Sequence, residues 1–200
     1  MIRPPPKGQP KGKPKGEAAL LAEIERLKNE LIGAEWRIAE LEARGDVDPL
    51  LGILNRRGFE RELKRSLAYI ARYDAGAALV YLDLDAFKAV NDRHGHAAGD
   101  ALLKMAARML TAHVRASDVV ARLGGDEFAI LLWNVSETNA QAKARDLEAA
   151  VAAGAVGEGA SRISVGASAG IVALTAGQSA AEAIAAADKA MYARKKQHRR

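Results

Sequence analysis

The sequence predicts an α/β protein in which a sheet covered by helices follows a long coiled-coil helix, and three observations carry that prediction. Leu20, Ile24, Leu27, Leu31, Ala34, Ile38 and Leu41 recur at spacings of 4, 3, 4, 3, 4 and 3, the a/d pattern of a two-stranded coil. Downstream, short apolar runs alternate with amphipathic stretches of helical period, as in a sheet with helices on its faces. Gly124 and Gly125 stand between two strand-like runs, Val119–Leu123 and Glu127–Trp133, where a hairpin turn would.

The 200 residues suffice for one full domain and an appendage. Hydrophobic residues make up 49% of the chain, and no apolar run approaches the roughly 18 residues of a membrane span, so a soluble globular protein is expected. The opening MIRPPPKGQPKGKPKG has no apolar core of the secretory kind. There is no cysteine, which excludes disulfides and thiolate metal sites and fits a cytoplasmic location. The net charge of +5 resides in Arg3, Lys7, Lys11, Lys13 and Lys15, leaving the rest of the chain neutral. With aromatics at only 4%, a basic tail on a neutral body argues against a nucleic-acid partner. Residues 1–16 read as a disordered, polyproline-like solvated tail.

Over 17–44, Ile24, Leu31 and Ile38 take a positions and Leu20, Leu27, Ala34 and Leu41 take d, the preference of a parallel dimer. In that register Glu23 faces Lys28 and Arg37 faces Glu42, but Glu30 faces Glu35 and Ala34 makes a thin layer, so the middle of the coil is weak. The alternative is one amphipathic helix packed on its own domain. Trp36 falls away from the seam, toward a neighbouring domain or a partner. Gly45 ends the helix and Asp48-Pro49 opens a junction. There follow a helix over 55–73, a buried strand over 77–84, helices over 86–94 and 98–114, the hairpin, a helix over 137–152, strands within 162–174 and a helix over 179–197.

The chemistry concentrates at two points. The strand ends in Asp83-Leu84-Asp85, and the hairpin carries Asp126 and Glu127. Together they would gather up to four acids, and like charges that close require a cation. Oxygen ligands without cysteine point to Mg²⁺ or Mn²⁺, which at such a site serves a nucleotide phosphate. Glycines at the turn let backbone N–H groups approach phosphate oxygens.

RLGGDEFAILL (122–132) resembles the signature of the GGDEF family of diguanylate cyclases, and three further blocks resemble that family in the same order: DPLLGILNRR (48–57), YLDLDAFKAVNDRHGHAAGD (81–100) and ADKAMYARKK (187–196). The resemblance spans roughly 46–200. It implies a palm-like fold similar to adenylyl cyclase cores, with a mostly antiparallel central sheet. It also implies condensation of two GTP to cyclic di-GMP and two pyrophosphates between two facing domains of a homodimer. Carried over, Asp83 and Asp126 would be metal ligands with the Leu84 carbonyl assisting, and Glu127 would aid metal binding or deprotonate the 3′-hydroxyl. Asn91 and Asp100 would bind guanine. Lys88, Lys195 and Arg199 would hold the β- and γ-phosphates, with N–H groups near Phe87 and a lining of Gly124 and Gly125. Arg115 and Asp118 form an R-x-x-D at the family's inhibitory site for cyclic di-GMP, which Arg145 of the other subunit would complete.

Other residues carry blander expectations. Asp85 would brace the site through an ion pair, and Asn91-Asp92 could instead cap the following helix. His94 and His96 lack a third metal ligand, Arg56 and Arg57 would brace the junction, and Met191 and Tyr192 would be core. Three positions depart from the family pattern: Leu51 stands for Thr, Arg194 for Ala and His198 for Gly. None removes a metal or guanine residue, so an active enzyme is expected. No sensory domain is visible within these residues, which leaves input to the coiled coil, the basic tail, Trp36 or a regulatory partner protein on the coil. The alternative is an inactive GTP or cyclic di-GMP receptor that signals through the coil.

Overall fold

The computed structural model describes residues 16–157, 159 and 162–198, with backbone alone at 17, 18, 34–44, 197 and 198. The chain forms two compact units, Met1–Arg44 and Gly45–Arg200. In the first, α1 (Glu17–Arg44) is one continuous helix. Leu20, Ile24, Leu27 and Leu31 line it about half exposed, at 52%, 47%, 50% and 59%. Arg26 pairs with Glu23 at 2.5 Å and also with Glu30, so Glu30 already holds a cation on its own helix. The side chains of Ala34, Glu35, Trp36, Arg37, Ile38, Leu41 and Glu42 lie outside the described residues. Among the described residues no helix is long and apolar enough to cross a membrane.

In the second unit, β1 (Leu54–Asn55), β2 (Ala77–Leu84), β3 (Val119–Gly124), β4 (Glu127–Trp133) and β5 (Ala167–Ala173) form a sheet in the order β1-β3-β4-β2-β5. β1 runs parallel to β3, and every other neighbouring pair is antiparallel. The helices are α2 (Arg56–Tyr73), α3 (Phe87–His94), α4 (His96–Ala112), α5 (Glu137–Ala153) and α6 (Ala180–His198).

β2 reads AALVYLDL without polar alternation because both its faces are covered. Ala78, Val80, Leu82 and Leu84 join a core with Leu102 and Leu110 of α4 and Ala144 and Leu147 of α5. Ala77, Leu79 and Tyr81 join the opposite core with Phe59 and Leu63 of α2 and Ala187 and Met191 of α6. The same division runs along β4, with Phe128 and Ile130 on one side and Ala129 and Leu131 on the other. Both central strands are thus gripped from two sides, which fixes where they end.

Most expected boundaries agree within a residue. α4 is shifted by two at each end: it runs over His96–Ala112 rather than 98–114. Gly95, at φ +80°, turns the chain straight from α3 into α4, so the polar residues before the apolar period are already helical. Asn91 lies inside α3 and does not cap α4. Tyr192 is exposed rather than core, with the Lys196 ammonium 4.5 Å from its ring centre, whereas Met191 is buried. β1 and the Val47–Leu54 bridge are too short to leave a periodic signal.

α6 sits directly on the backbone of β5. A Cβ added at Gly170 would stand 2.0 Å from the Met191 nitrogen and 2.4 Å from the Ala187 carbonyl oxygen. Neither backbone atom can swing aside. Gly170→Ala is therefore expected to destabilise the domain by about 3 kcal/mol, read as a lower urea midpoint at unchanged slope.

Candidate active site

The β2 strand delivers Asp83 to the edge of the sheet opposite Glu127, its cross-strand partner on β4. Leu84 donates its N–H to the Asp126 carbonyl at 3.2 Å, joining the strand end to the hairpin turn. The turn itself is Gly125-Asp126; Gly124 closes β3, after a register shift between Arg122 and Gly124. Gly124 (φ +152°) and Gly125 (φ +49°) hold conformations that side chains disfavour, with open space where each Cβ would be.

Two arginines hold this turn. Arg122 donates to the Gly125 carbonyl from Nε (3.0 Å) and Nη2 (2.8 Å), and its Nη1 pairs with Asp48 at 3.1 Å. Arg56 donates from Nε to the Leu123 carbonyl at 2.9 Å, and its Nη2 lies 3.7 Å from Glu127. Carbonyl and N–H point opposite ways across a trans peptide. The Arg122 grip on Gly125 therefore turns the Asp126 N–H away from the guanidinium. Asp48 also accepts from the Leu50 and Leu51 N–H groups, which folds the DPLLG entry into a turn.

Electrostatics single out Asp83. Burial pushes its carboxyl above the usual range; a bond from Lys195 opposes that, and Asp126 and Asp85 add to it. The Lys195 ammonium donates to Asp83, whereas the sequence placed it on phosphates. A cavity of about 350 Å³ opens there, lined by Asp83, Glu127, Asp188, Met191, Tyr192, Lys195 and Lys196. Beneath it, burial and then the Glu127 carboxylate push the Tyr81 hydroxyl well above its ordinary range.

The four acids do not form one cluster: among the described residues no group of three or more His, Asp or Glu side chains is arranged to hold a metal. Asp85 turns aside to accept from Ser168 Oγ at 2.8 Å, and Glu127 has Arg56 beside it. Asp83 and Asp126 remain as a pair. Two such carboxylates, one of them already holding an ammonium, fit a hard divalent cation completed by backbone oxygen and water.

The expected guanine residues stand on the neighbouring helices. Phe87 is buried at the start of α3, where Ala86 (φ 55°) provides no side-chain cap, and Lys88 beside it is exposed. Asn91 Oδ1 is buried with no hydrogen-bond partner among the described residues. It lies 1.9 Å from where a Cβ on Gly99 would be, and the Phe87 ring is also within 3.1 Å of that point. Gly99 thus makes room for the Asn91 amide. An unpartnered buried acceptor is costly unless something fills it, and guanine N–H groups would. Asp100 follows, exposed just past the first turn of α4. Arg199 lies outside the described residues.

Away from this site, the Asp118 carboxylate accepts from the Arg115 N–H at 2.9 Å and from the Trp133 N–H at 3.0 Å. The Arg115 side chain is exposed beside a cleft of about 280 Å³ that Asn139, Lys143 and Asp146 of α5 also line. Arg145, exposed on α5, is not among its lining residues. Sequence reasoning missed the Arg122 and Arg56 grips on the turn; the polar partners are carbonyls, which leave no residue-type signal.

Comparison with known proteins identifies the family of the domain. Residues 45–200 match the family described as "Diguanylate cyclase, GGDEF domain". "Probable diguanylate cyclase DgcE" of Escherichia coli (strain K12) is 44% identical over 151 residues, 74% of this chain and 14% of that protein, so the chain spans a small part of that relative. The crystal structure of diguanylate cyclase SiaD with its activator SiaC from Pseudomonas aeruginosa superposes with a TM-score of 0.73 at 29% identity, covering 89% of this chain and 70% of that one. A microbial GGDEF domain studied with bis-(3,5)-cyclic di-GMP superposes at 0.66 with 33% identity, covering 76% and 94%. With its sheet, its turn and more than three quarters of its length in common with that family, this chain belongs to the GGDEF domain family of diguanylate cyclases.

Proposed function

We propose that the chain is a diguanylate cyclase that condenses two GTP to cyclic di-GMP and two pyrophosphates across a homodimer. The observation that carries this is the pairing of Asp83 and Asp126 beside the open Gly124-Gly125 turn, within a domain whose buried Asn91 acceptor awaits a donor. Asp83, Asp126 and the Leu84 carbonyl would hold Mg²⁺ (or Mn²⁺), with Glu127 aiding the metal or accepting the 3′-hydroxyl proton. When bound, the metal neutralises triphosphate charge. Lys195, which donates to Asp83, would with Lys88 and Arg199 hold the β- and γ-phosphates, beside N–H groups near Phe87 and the glycines. Asn91 and Asp100 take guanine. In each half-reaction the 3′-oxygen bonds to the partner GTP's α-phosphorus, the bond to the β-phosphate oxygen breaks, and the hydroxyl proton leaves to a base.

One domain supplies half of that arrangement, which gives the half-exposed seam of α1 its purpose: a parallel coiled coil over 17–44 that brings two domains at 45–200 together. SiaD is held with an activator protein, and a regulatory protein on the coil is the corresponding proposal here. The absence of cysteine is consistent with a cytoplasmic site of action. The basic tail, 1–16, would stay solvated. Product inhibition follows from Arg115 and Asp118, whose carboxylate two N–H groups hold ready, with Arg145 supplied by the other subunit.

Three experiments test this. Purified protein with GTP and Mg²⁺ should release pyrophosphate and cyclic di-GMP, and Asp126→Asn should lose roughly a hundredfold or more of that rate; tight GTP binding without product would instead favour the receptor reading. Arg115→Ala should keep turnover while raising the cyclic di-GMP concentration for half-inhibition about tenfold. Leu27→Asp buries a charge in each strand of the coil and should weaken the dimer by roughly a hundredfold. Sedimentation would read that loss, and activity should fall with it at low protein concentration.

A further inference from the structure

Arg194 stands where the family pattern has a small residue, and its partner comes from the opposite side of the sheet. α5 packs on the α4 side and α6 on the α2 side. Glu148 of α5 and Arg194 of α6 nevertheless meet around the edge strand β5, Nη2 to Oε2 at 2.7 Å. The other Glu148 oxygen accepts the Ala169 N–H at 2.8 Å. Glu148 is 13% exposed and has both oxygens engaged. A single exposed ion pair is worth little, but this carboxylate is largely buried and also caps an edge N–H, so releasing Arg194 leaves charge without a partner.

The position of this clamp matters more than its strength. The final carbonyls of a helix lack internal partners and its last turn frays. The Met191 backbone rests on Gly170, and one turn later Arg194 is tied to Glu148. The next residue, Lys195, reaches Asp83. Two fixed points therefore precede the lysine that serves the site.

We propose that Arg194, through Glu148, is a positioning residue that holds the last turn of α6 and so aims Lys195 at the Asp83 end of β2, where nucleotide phosphates would lie. The assignment rests on Lys195 acting as a phosphate ligand. It is tested with the full chain, Mg²⁺ and 3′-deoxy-GTP, which binds but cannot condense. Arg194→Ala and Glu148→Ala should each weaken binding roughly threefold to tenfold, and the double variant should be no worse than either single one. Arg194→Lys should restore most of the affinity. With GTP, KM should rise by the same factor while kcat stays within about twofold, and amides of 193–197 should exchange faster in both single variants. Glu148→Gln keeps an acceptor for Ala169 and removes only the charge, so it carries the test if Glu148→Ala fails to fold. Unchanged binding in Arg194→Ala, with Lys195→Ala weakened, would overturn the clamp alone. Weak binding in Arg194→Ala with both Glu148 variants silent would also overturn it, because Arg194 would then touch nucleotide itself. Unchanged binding in Lys195→Ala would remove the phosphate role and the clamp with it.

Discussion

A carboxylate at the end of a strand buried on both faces has to find positive charge, and the arrangement around Asp83 answers that need. Burial and its acidic neighbours make ionisation costly there. The Lys195 ammonium compensates, yet lysine is a flexible point charge that a denser cation can displace. In the proposed function, this apparent weakness of the site would make it receptive to a divalent ion with phosphate attached. The hydrophobic grip on β2 from both sides keeps this tension from relaxing: the strand cannot slide to separate its acids without moving Leu82 and Leu84 out of the core.

The turn answers a second demand. Gly124 and Gly125 give the turn its open backbone, and glycines are loose. Here the looseness is removed from behind, by Arg122 on the Gly125 carbonyl and Arg56 on the Leu123 carbonyl. Rigidity is borrowed from the domain entry, since Asp48 orients Arg122. The freedom of the turn and its order come from different residues.

Much of this was legible in the sequence. The long strand, the hairpin and the helices announce themselves by period, and the acids and glycines announce the site by type. What stayed hidden has a common physical origin: contacts to backbone, or between residues far apart in sequence. Arg56 was read as a brace for the junction, and it does bond the hairpin, but nothing in NRR says that its acceptor is a carbonyl 67 positions on. The expected four-acid cluster dissolved because Ser168, remote in sequence, takes Asp85. Nothing in the sequence around Lys195 points to Asp83, its partner 112 residues away. Gly95 shifted the start of α4 because conformation, rather than hydrophobicity, decides where a helix begins.

The double-sided burial of β2 and β4 also bears on how such a domain can diverge. Neither strand has a face where a substitution passes unnoticed, so the middle of the sheet is closed to experiment by mutation. Variation that retunes the site has to enter at the rim: strand ends, the last turn of α6, the mouth of the entry turn. Arg194 is a departure of that kind, on α6 outside both cores, whereas Leu51 packs partly buried against one of them.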